Sequence, residues 1–433
     1  MQLLLAPVLR RPYVRLRKIL FCALALLFFH SASSAAAEPP APVLTLRQAF
    51  SRTLERNPSL RLFEFRQRVL DGRAQTAALN PAINLDAELE NFAGSDGFDN
   101  AELTVGLSSV IEFGDKREAR TASVNSERAL LEVSRRIQAL DLLGEVTRRY
   151  VRVLAGTEQQ VMAQDAVRLA MDTLNAVDMR VSAGGAPVAE KLRAEAALAR
   201  AQIRLQRLQQ QLRADRVALA AMWADTSADF SVNGGALYRV GAKGDFEAFF
   251  QRVLAGPLVN RFASEERLRA AQLRLARTAS RADLGWSLGV RRNQEVDSTS
   301  LVAGVSLPLF SAERARGAIS AAEAQLDGVS VERQSAHLQL RTQLYRAFST
   351  RAQAIGAVRR LRSEIIPALM RALQQTEQAY RNGRYGYQEW VAAREELLDA
   401  RSALIREAEN ALLARAEIEQ LTAASLDVMV VEK

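Results

Sequence analysis

Apolar residues recur along this chain with two different periods, one helical and one extended. Leu130, Ile137 and Val151, with Gly144 filling one turn, return every seven residues, and Val133, Leu140 and Leu154 form a second such row. A strict seven-residue spacing predicts helices wound as a left-handed coiled coil. From about Asp115 to Val177 the chain has no proline, so this stretch reads as one helix roughly 95 Å long at 1.5 Å per residue. The turn Ala183-Gly184-Gly185-Ala186-Pro187 reverses it. A return helix carrying Leu198, Leu205, Leu212 and Leu219 runs to about Trp223. Upstream, a helix is expected from about Leu46 to Ala78, stopped at Asn80-Pro81 because proline cannot continue a helix interior.

Between the helices the period falls to two. Ile83, Leu85, Ala87 and Leu89 alternate with Asn84, Asp86, Glu88 and Glu90, and Leu103, Val105 and Leu107 alternate with Glu102, Thr104, Gly106 and Ser108. Trp286, Leu288 and Val290 alternate with Ser287, Gly289 and Arg291, and Leu301, Ala303, Val305 and Leu307 share one face. These four candidate strands are about 9 to 12 residues long, the length that crosses a bilayer when tilted. Alternation alone equally describes a half-buried sheet in a soluble protein.

The two halves repeat one another at an offset of about 200 residues. Leu46-Arg47-Gln48-Ala49-Phe50 with Leu54 recurs as Phe246-Glu247-Ala248-Phe249-Phe250 with Leu254, and Gly106-Leu107-Ser108 recurs as Gly304-Val305-Ser306. Gly184 with Glu190 recurs as Gly383 with Glu389, and the leucine heptad recurs as Leu397, Leu404, Ala411 and Ile418. Each half reads as helix, two strands, a very long helix, a turn and a return helix. Second-half helices are expected over about Phe246–Ala282, Glu313–Arg381 and Gln388–Thr422, with Pro367 kinking the long one. The organisation expected is a leader over 1–37, a first repeat over 38–226, an irregular glycine-rich linker over 227–245, a second repeat over 246–424 and a tail over 425–433. The fold class is mainly α with a small β part.

The leader reading rests on a basic segment (Arg10, Arg11, Arg15, Arg17, Lys18), an apolar run from Ile19 to Phe29, and an Ala35-Ala36-Ala37 cleavage site before Glu38. The run is shorter than the roughly 20 residues a membrane-spanning helix needs. Removing the leader lowers the formal charge from +9 to +4, so the high pI reflects targeting and nucleic acid is not an expected partner. Cys22 lies inside the apolar run after Phe21, which disfavours a lipid anchor. The mature chain then has no cysteine and a single histidine, His337. That composition excludes thiolate metal sites and disfavours Ser/His or Cys/His catalysis and histidine-rich metal sites. No enzyme, cofactor or resident metal is expected.

Export, helices too long for a compact domain and strands of bilayer length favour a membrane protein. Four strands cannot close a barrel, and an open sheet edge cannot sit in lipid. The smallest membrane barrels have about eight strands, so several chains must share one barrel. Leu44-Thr45-Leu46-Arg47-Gln48-Ala49-Phe50 continuing through Leu54-Glu55-Arg56-Asn57-Pro58 resembles the opening helix of the TolC-type outer-membrane efflux family. Gly106-Leu107-Ser108-Ser109-Val110-Ile111-Glu112-Phe113-Gly114-Asp115-Lys116-Arg117 resembles its second strand entering the long helix, in the form of the CzcC-like branch that serves heavy-metal pumps. Val305-Ser306-Leu307-Pro308-Leu309-Phe310 fits its counterpart, and the resemblance covers roughly Leu44 to Thr422.

That resemblance implies a homotrimer in outer-membrane lipid, whose shared β-barrel continues into a periplasmic α-barrel. It also implies docking, through a periplasmic adaptor, on an inner-membrane pump of the RND type that supplies the energy. The turns at Gly184 and Gly383 would form the periplasmic entrance, with Glu190 and Glu389 narrowing or charging it; equally, a first-turn glutamate stabilises a helix N-terminus. Tyr380, Arg381 and Tyr385 would hold the entrance closed. Asp86, Glu88, Glu90 and Glu102 would face the barrel lumen and favour cations, although any water-filled barrel has polar inward residues. Heavy-metal cations are the expected cargo, with organic drugs or secreted proteins as alternatives. A periplasmic coiled-coil adaptor or scaffold is a rival, but an adaptor with one hairpin does not account for two complete repeats.

Overall fold

A computed structural model describes residues 42–92 and 97–424. The expected leader and the expected C-terminal tail lie outside the described residues. The first half comprises α1 (Leu46–Arg56), α2 (Pro58–Ala78), β1 (Asn84–Glu90), β2 (Glu102–Ile111), α3 (Lys116–Ser182) and α4 (Val188–Ala220). The second comprises α5 (Phe246–Ala255), α6 (Pro257–Thr278), β3 (Leu284–Asn293), β4 (Ser298–Ser306), α7 (Ser311–Arg360), α8 (Ile366–Arg381) and α9 (Tyr387–Leu421). At 67 residues α3 is about 100 Å long.

The opening helix of each half is divided, where the sequence predicts it continuous. Pro58 and Pro257 occupy the first turns of α2 and α6, where a missing N–H costs nothing, and each forces extended backbone on the residue before it. Asn57 exploits the break. Its Oδ1 accepts from the Ser59 amide at 2.9 Å to cap α2, and its Nδ2 donates to the Met222 carbonyl at 2.8 Å. Thr45 caps α1 through a capping box with Gln48. In the second half α6 ends at Thr278 rather than near Ala282. The interruption expected at Pro367 takes the form of a π turn over Leu361–Ile365 joining α7 to α8. Proline has no N–H for the carbonyl four residues back, and a one-residue widening of the helix absorbs the mismatch.

The expected linker is not wholly irregular. It makes a 3-10 turn at Gly234–Tyr238 and sends Phe230, Val232 and Leu237 into the principal core, beside Trp223, Leu143, Val146 and Leu219. It also hydrogen-bonds the start of the first half, Leu44 N–H to the Ser231 carbonyl at 2.9 Å. The buried guanidinium of Arg351 donates back to the Lys243 and Val240 carbonyls. This segment therefore belts the middle of the helical bundle.

The four strands form one antiparallel sheet in the order β1-β2-β3-β4. β1 has 7 residues, shorter than expected, and the others have 9 or 10. In register, Leu89 faces Leu103, Ala87 faces Val105, Val105 faces Val290 and Leu288 faces Ala303. Directly paired residues project to the same side, so one face is a continuous apolar surface. It is also exposed: Leu85, Leu107, Leu288, Leu301 and Val305 all stand in the open. No described helix is long and apolar enough to cross a membrane.

Candidate functional site: barrel face and periplasmic tip

The opposite face of the sheet gathers the four predicted carboxylates. Glu90 pairs in register with Glu102, Glu88 with Thr104 and Asp86 with Gly106. Sequence reading treated them as one acidic row; the register brings Arg291 of β3 among them. Its guanidinium lies 3.0 Å from Glu102 and 3.3 Å from Glu90, and its Nε donates to Thr104 Oγ1 at 3.0 Å. Asn293 adds a 2.7 Å hydrogen bond to the other oxygen of Glu102. Glu90 and Glu102 are thus compensated. Asp86 and Glu88 are exposed, and their side chains have no ion-pair or hydrogen-bond partner among the described residues. Arg291 was visible as a polar strand position, but its pairing depends on which strands are neighbours.

At the other end of the molecule, the turns between α3 and α4 and between α8 and α9 are built alike. Gly184 and Gly383 have φ of +73° and +74°, the left-handed conformation that glycine adopts without steric cost. In each turn a later amide reaches back to close the helix: Gly185 N–H donates to the Arg180 carbonyl at 2.7 Å and Arg384 N–H to the Ala379 carbonyl at 2.9 Å.

Tyr380 joins the two hairpins. Its side chain is fully buried, its ring lies 4.9 Å from that of Trp390, and the Arg180 guanidinium sits 4.4 Å above it. Its hydroxyl donates to Glu190 at 3.0 Å, while Arg180 donates to the Tyr380 carbonyl at 2.9 Å and to the Gly185 carbonyl at 2.8 Å. Burial, and then the bond to Glu190, push the phenol pKa up to about 12, so it remains a donor throughout the physiological range. Further up the same seam, the buried Arg394 donates to Thr173 at 3.2 Å and Arg401 approaches Asp165 at 3.4 Å.

The other predicted tip residues lie apart from this contact. Arg381 pairs with Glu377 one turn back on α8 at 2.7 Å. Tyr385 and Glu389 are exposed, and no side-chain bond from either reaches the first hairpin among the described residues. Sequence reasoning missed Arg180 and Trp390. A cation in the last turn of a helix reads as a local cap, and a tryptophan near a helix start reads as core.

A sheet with a bare apolar face and a polar opposite face, set on helices of about 100 Å, defines a subunit of an outer-membrane channel with a periplasmic helical extension. Residues 49–225 and 259–424 match the family described as outer membrane efflux protein. The chain belongs to that family; it is a transport protein and not an enzyme. It is 24% identical over 358 residues to the cobalt-zinc-cadmium resistance protein CzcC of Cupriavidus metallidurans, covering 83% of this chain and 85% of that one. Its fold is similar to that of CusC, with TM-score 0.73, 15% identity and coverage of 87% and 91%. It is likewise similar to the Neisseria gonorrhoeae MtrE outer membrane channel in its open state, with TM-score 0.68, 17% identity and coverage of 88% and 89%.

Proposed function

We propose that this protein is the exit duct of a tripartite efflux system: three copies share one β-barrel and one periplasmic tunnel, and the cargo is heavy-metal cations. A leader over residues 1–37 would deliver it to the periplasm. A periplasmic adaptor would couple it to an RND-type pump that supplies energy and selection. The observation that carries the metal reading is the alignment with a cobalt-zinc-cadmium resistance protein over most of both chains.

The uncompensated Asp86 and Glu88 support the same reading. Three copies of each, facing a water-filled lumen, would make rings of carboxylates that raise the local concentration of cations. Weak attraction of this kind suits a duct, because cargo must leave as easily as it enters. At the tip, Gly184 and Gly383 would turn the chain at the entrance. Tyr380, with Arg180 and Glu190, would hold neighbouring hairpins together in the closed state. Arg381, Tyr385 and Glu389, which are exposed and take no part in that contact, would serve the rim of the entrance.

The test is deletion of the gene followed by growth in cobalt, zinc, cadmium, nickel, copper and silver, with detergents, dyes and antibiotics in parallel. Selective metal sensitivity, restored by the intact gene, is expected. Sensitivity to organic compounds alone would overturn the metal assignment and leave the channel. In planar bilayers the Asp86→Asn/Glu88→Gln protein should lose cation preference, read as a reversal potential moving towards zero in a salt gradient. An unchanged potential would remove these carboxylates from the conduction path.

A further inference from the structure

Between the belt and the tip, the two hairpins enclose a cavity of about 310 Å³. It lies where α4 of the first hairpin and α9 of the second both pack on α3. Much of its wall is alanine, Ala163, Ala166 and Ala170 of α3 with Ala197 and Ala201 of α4, which leaves the space open. Three guanidiniums line it from two sides, Arg200 and Arg204 of α4 and Arg394 of α9. Among the described residues none of the three has an ion-pair partner. Arg200 also belongs to a row, Arg193, Arg200 and Arg207, that repeats every seven residues along α4.

Arg394 is the residue that most needs an explanation. It is only 6% exposed, and among the described residues its side chain makes one hydrogen bond, to the neutral hydroxyl of Thr173 at 3.2 Å. A guanidinium has five N–H donors, and a buried charge normally has a counter-charge and satisfied donors. Its surroundings oppose the charge further. Burial pushes the Arg394 pKa down, Tyr387 and Glu395 pull it partly back, and the charge of Arg200 adds to the fall. The same positive field reaches the neighbouring phenol: burial raises the Tyr387 pKa, and Arg394, Arg200 and Arg193 draw it partly back. Two carboxylates, Glu395 and Asp399, also line the cavity, but both are exposed. Glu395 directly follows Arg394, and adjacent residues on a helix do not face one another.

We propose that this cavity binds a small multivalent oxyanion, of the phosphate or polycarboxylate class, held between Arg394 on one hairpin and Arg200 and Arg204 on the other. The guanidinium fork matches the paired oxygens of phosphate and carboxylate groups and stays charged at any physiological pH. The ion supplies the counter-charge that Arg394 lacks. It must be multivalent, because Glu395 and Asp399 already offset part of the positive field. The site draws its cations from both hairpins, so parting the hairpins takes it apart. The ion therefore binds the joined arrangement in preference and shifts the balance towards it. The binding site stands independently of the cargo proposed above, whereas its effect on opening rests on the channel reading.

The test is titration calorimetry on the protein extracted from outer membranes of cells producing the full chain, with inorganic phosphate and citrate as separate probes and chloride holding the ionic strength constant. Saturable binding of phosphate, of citrate or of both is expected, and the tighter of the two identifies the class of ion. Arg394→Met and Arg200→Gln should each weaken binding by about tenfold or more, the loss of hydrogen bonds to a charged group. Glu395→Gln should tighten it. Arg394→Met should also raise the melting temperature when no oxyanion is present, because an apolar chain replaces a buried charge without a counter-ion. No heat beyond the chloride control, or undiminished binding in Arg200→Gln, would overturn the site. An Arg394→Met protein that melts lower and still binds would make Arg394 a structural residue and overturn its assignment. In planar bilayers the ion that binds should lower the open probability of the unsubstituted protein and leave that of Arg200→Gln unchanged. Binding with no change in open probability would overturn the coupling to the hairpins. Binding by a protein that conducts nothing would instead refute the channel reading and leave the site.

Discussion

Replacing Tyr380 with phenylalanine isolates the bond that ties the two hairpins at the tip. The ring would keep its place against Trp390 and beneath Arg180, since both contacts involve the aromatic face. Only the 3.0 Å bond to Glu190 is lost. A hydrogen bond to a charged acceptor contributes about 1.5–3 kcal/mol. Glu190 is half-buried, so water recovers part of it, and the lower end of that range, about 1.5 kcal/mol, is appropriate. At 1.4 kcal/mol per tenfold change, the variant should shift the balance between joined and parted hairpins by roughly tenfold. Single-channel recording in planar bilayers reads this directly as a rise in open probability, and circular dichroism should show unchanged helical content. Glu190→Gln should have a similar effect, and the double variant should add little, because both changes remove one interaction. Unchanged open probability in Tyr380→Phe, or full additivity in the double variant, would refute the assignment of this contact to closure.

Arg291→Gln should leave Glu90 and Glu102 uncompensated on the polar face of the sheet; reversal potentials should show stronger cation preference, and the oligomer should dissociate at a lower temperature in detergent. Gly184→Ala and Gly383→Ala should each destabilise their turn by about 1–2 kcal/mol, the cost of a left-handed conformation for a residue with a Cβ, seen as faster hydrogen exchange confined to the tip. Burial pushes the carboxyl pKa of Glu409 up, Arg152 pulls it partly back, and the charge of Asp215 adds to the rise. The folded state then holds a proton that the unfolded chain releases, so Glu409 costs stability as pH rises through the interval between its unfolded and folded pKa values. Glu409→Gln should therefore raise the melting temperature at pH 8 and leave it unchanged at a pH below both values; a gain of equal size at both would show that the effect is not protonation.

The sequence by itself determined the kinds of element and their order, because each rests on local chemistry. Seven-residue apolar spacing with no proline gives the long helix; Pro58 and Pro257 divide the opening helices by an equally local rule, although the sequence reading ran each helix through its proline. The glycines at 184 and 383 permit the turns. Alternation in Ile83–Leu89 and Leu103–Leu107 was likewise enough to place β1 and β2 and to predict one apolar face. What lies opposite what was decided only by the tertiary structure. Glu90, Glu102 and Arg291 become one ionic cluster because β2 sits between β1 and β3 at a particular register, and no local pattern encodes the register of strands about 190 residues apart. Arg180 and Tyr380 are 200 residues apart in sequence and meet only because two long hairpins end at the same height. Leu140 and Leu338 both sit in rows of seven-residue spacing, yet one is buried and the other exposed. The fold alone shows that the first has a neighbouring helix over it and the second has none among the described residues.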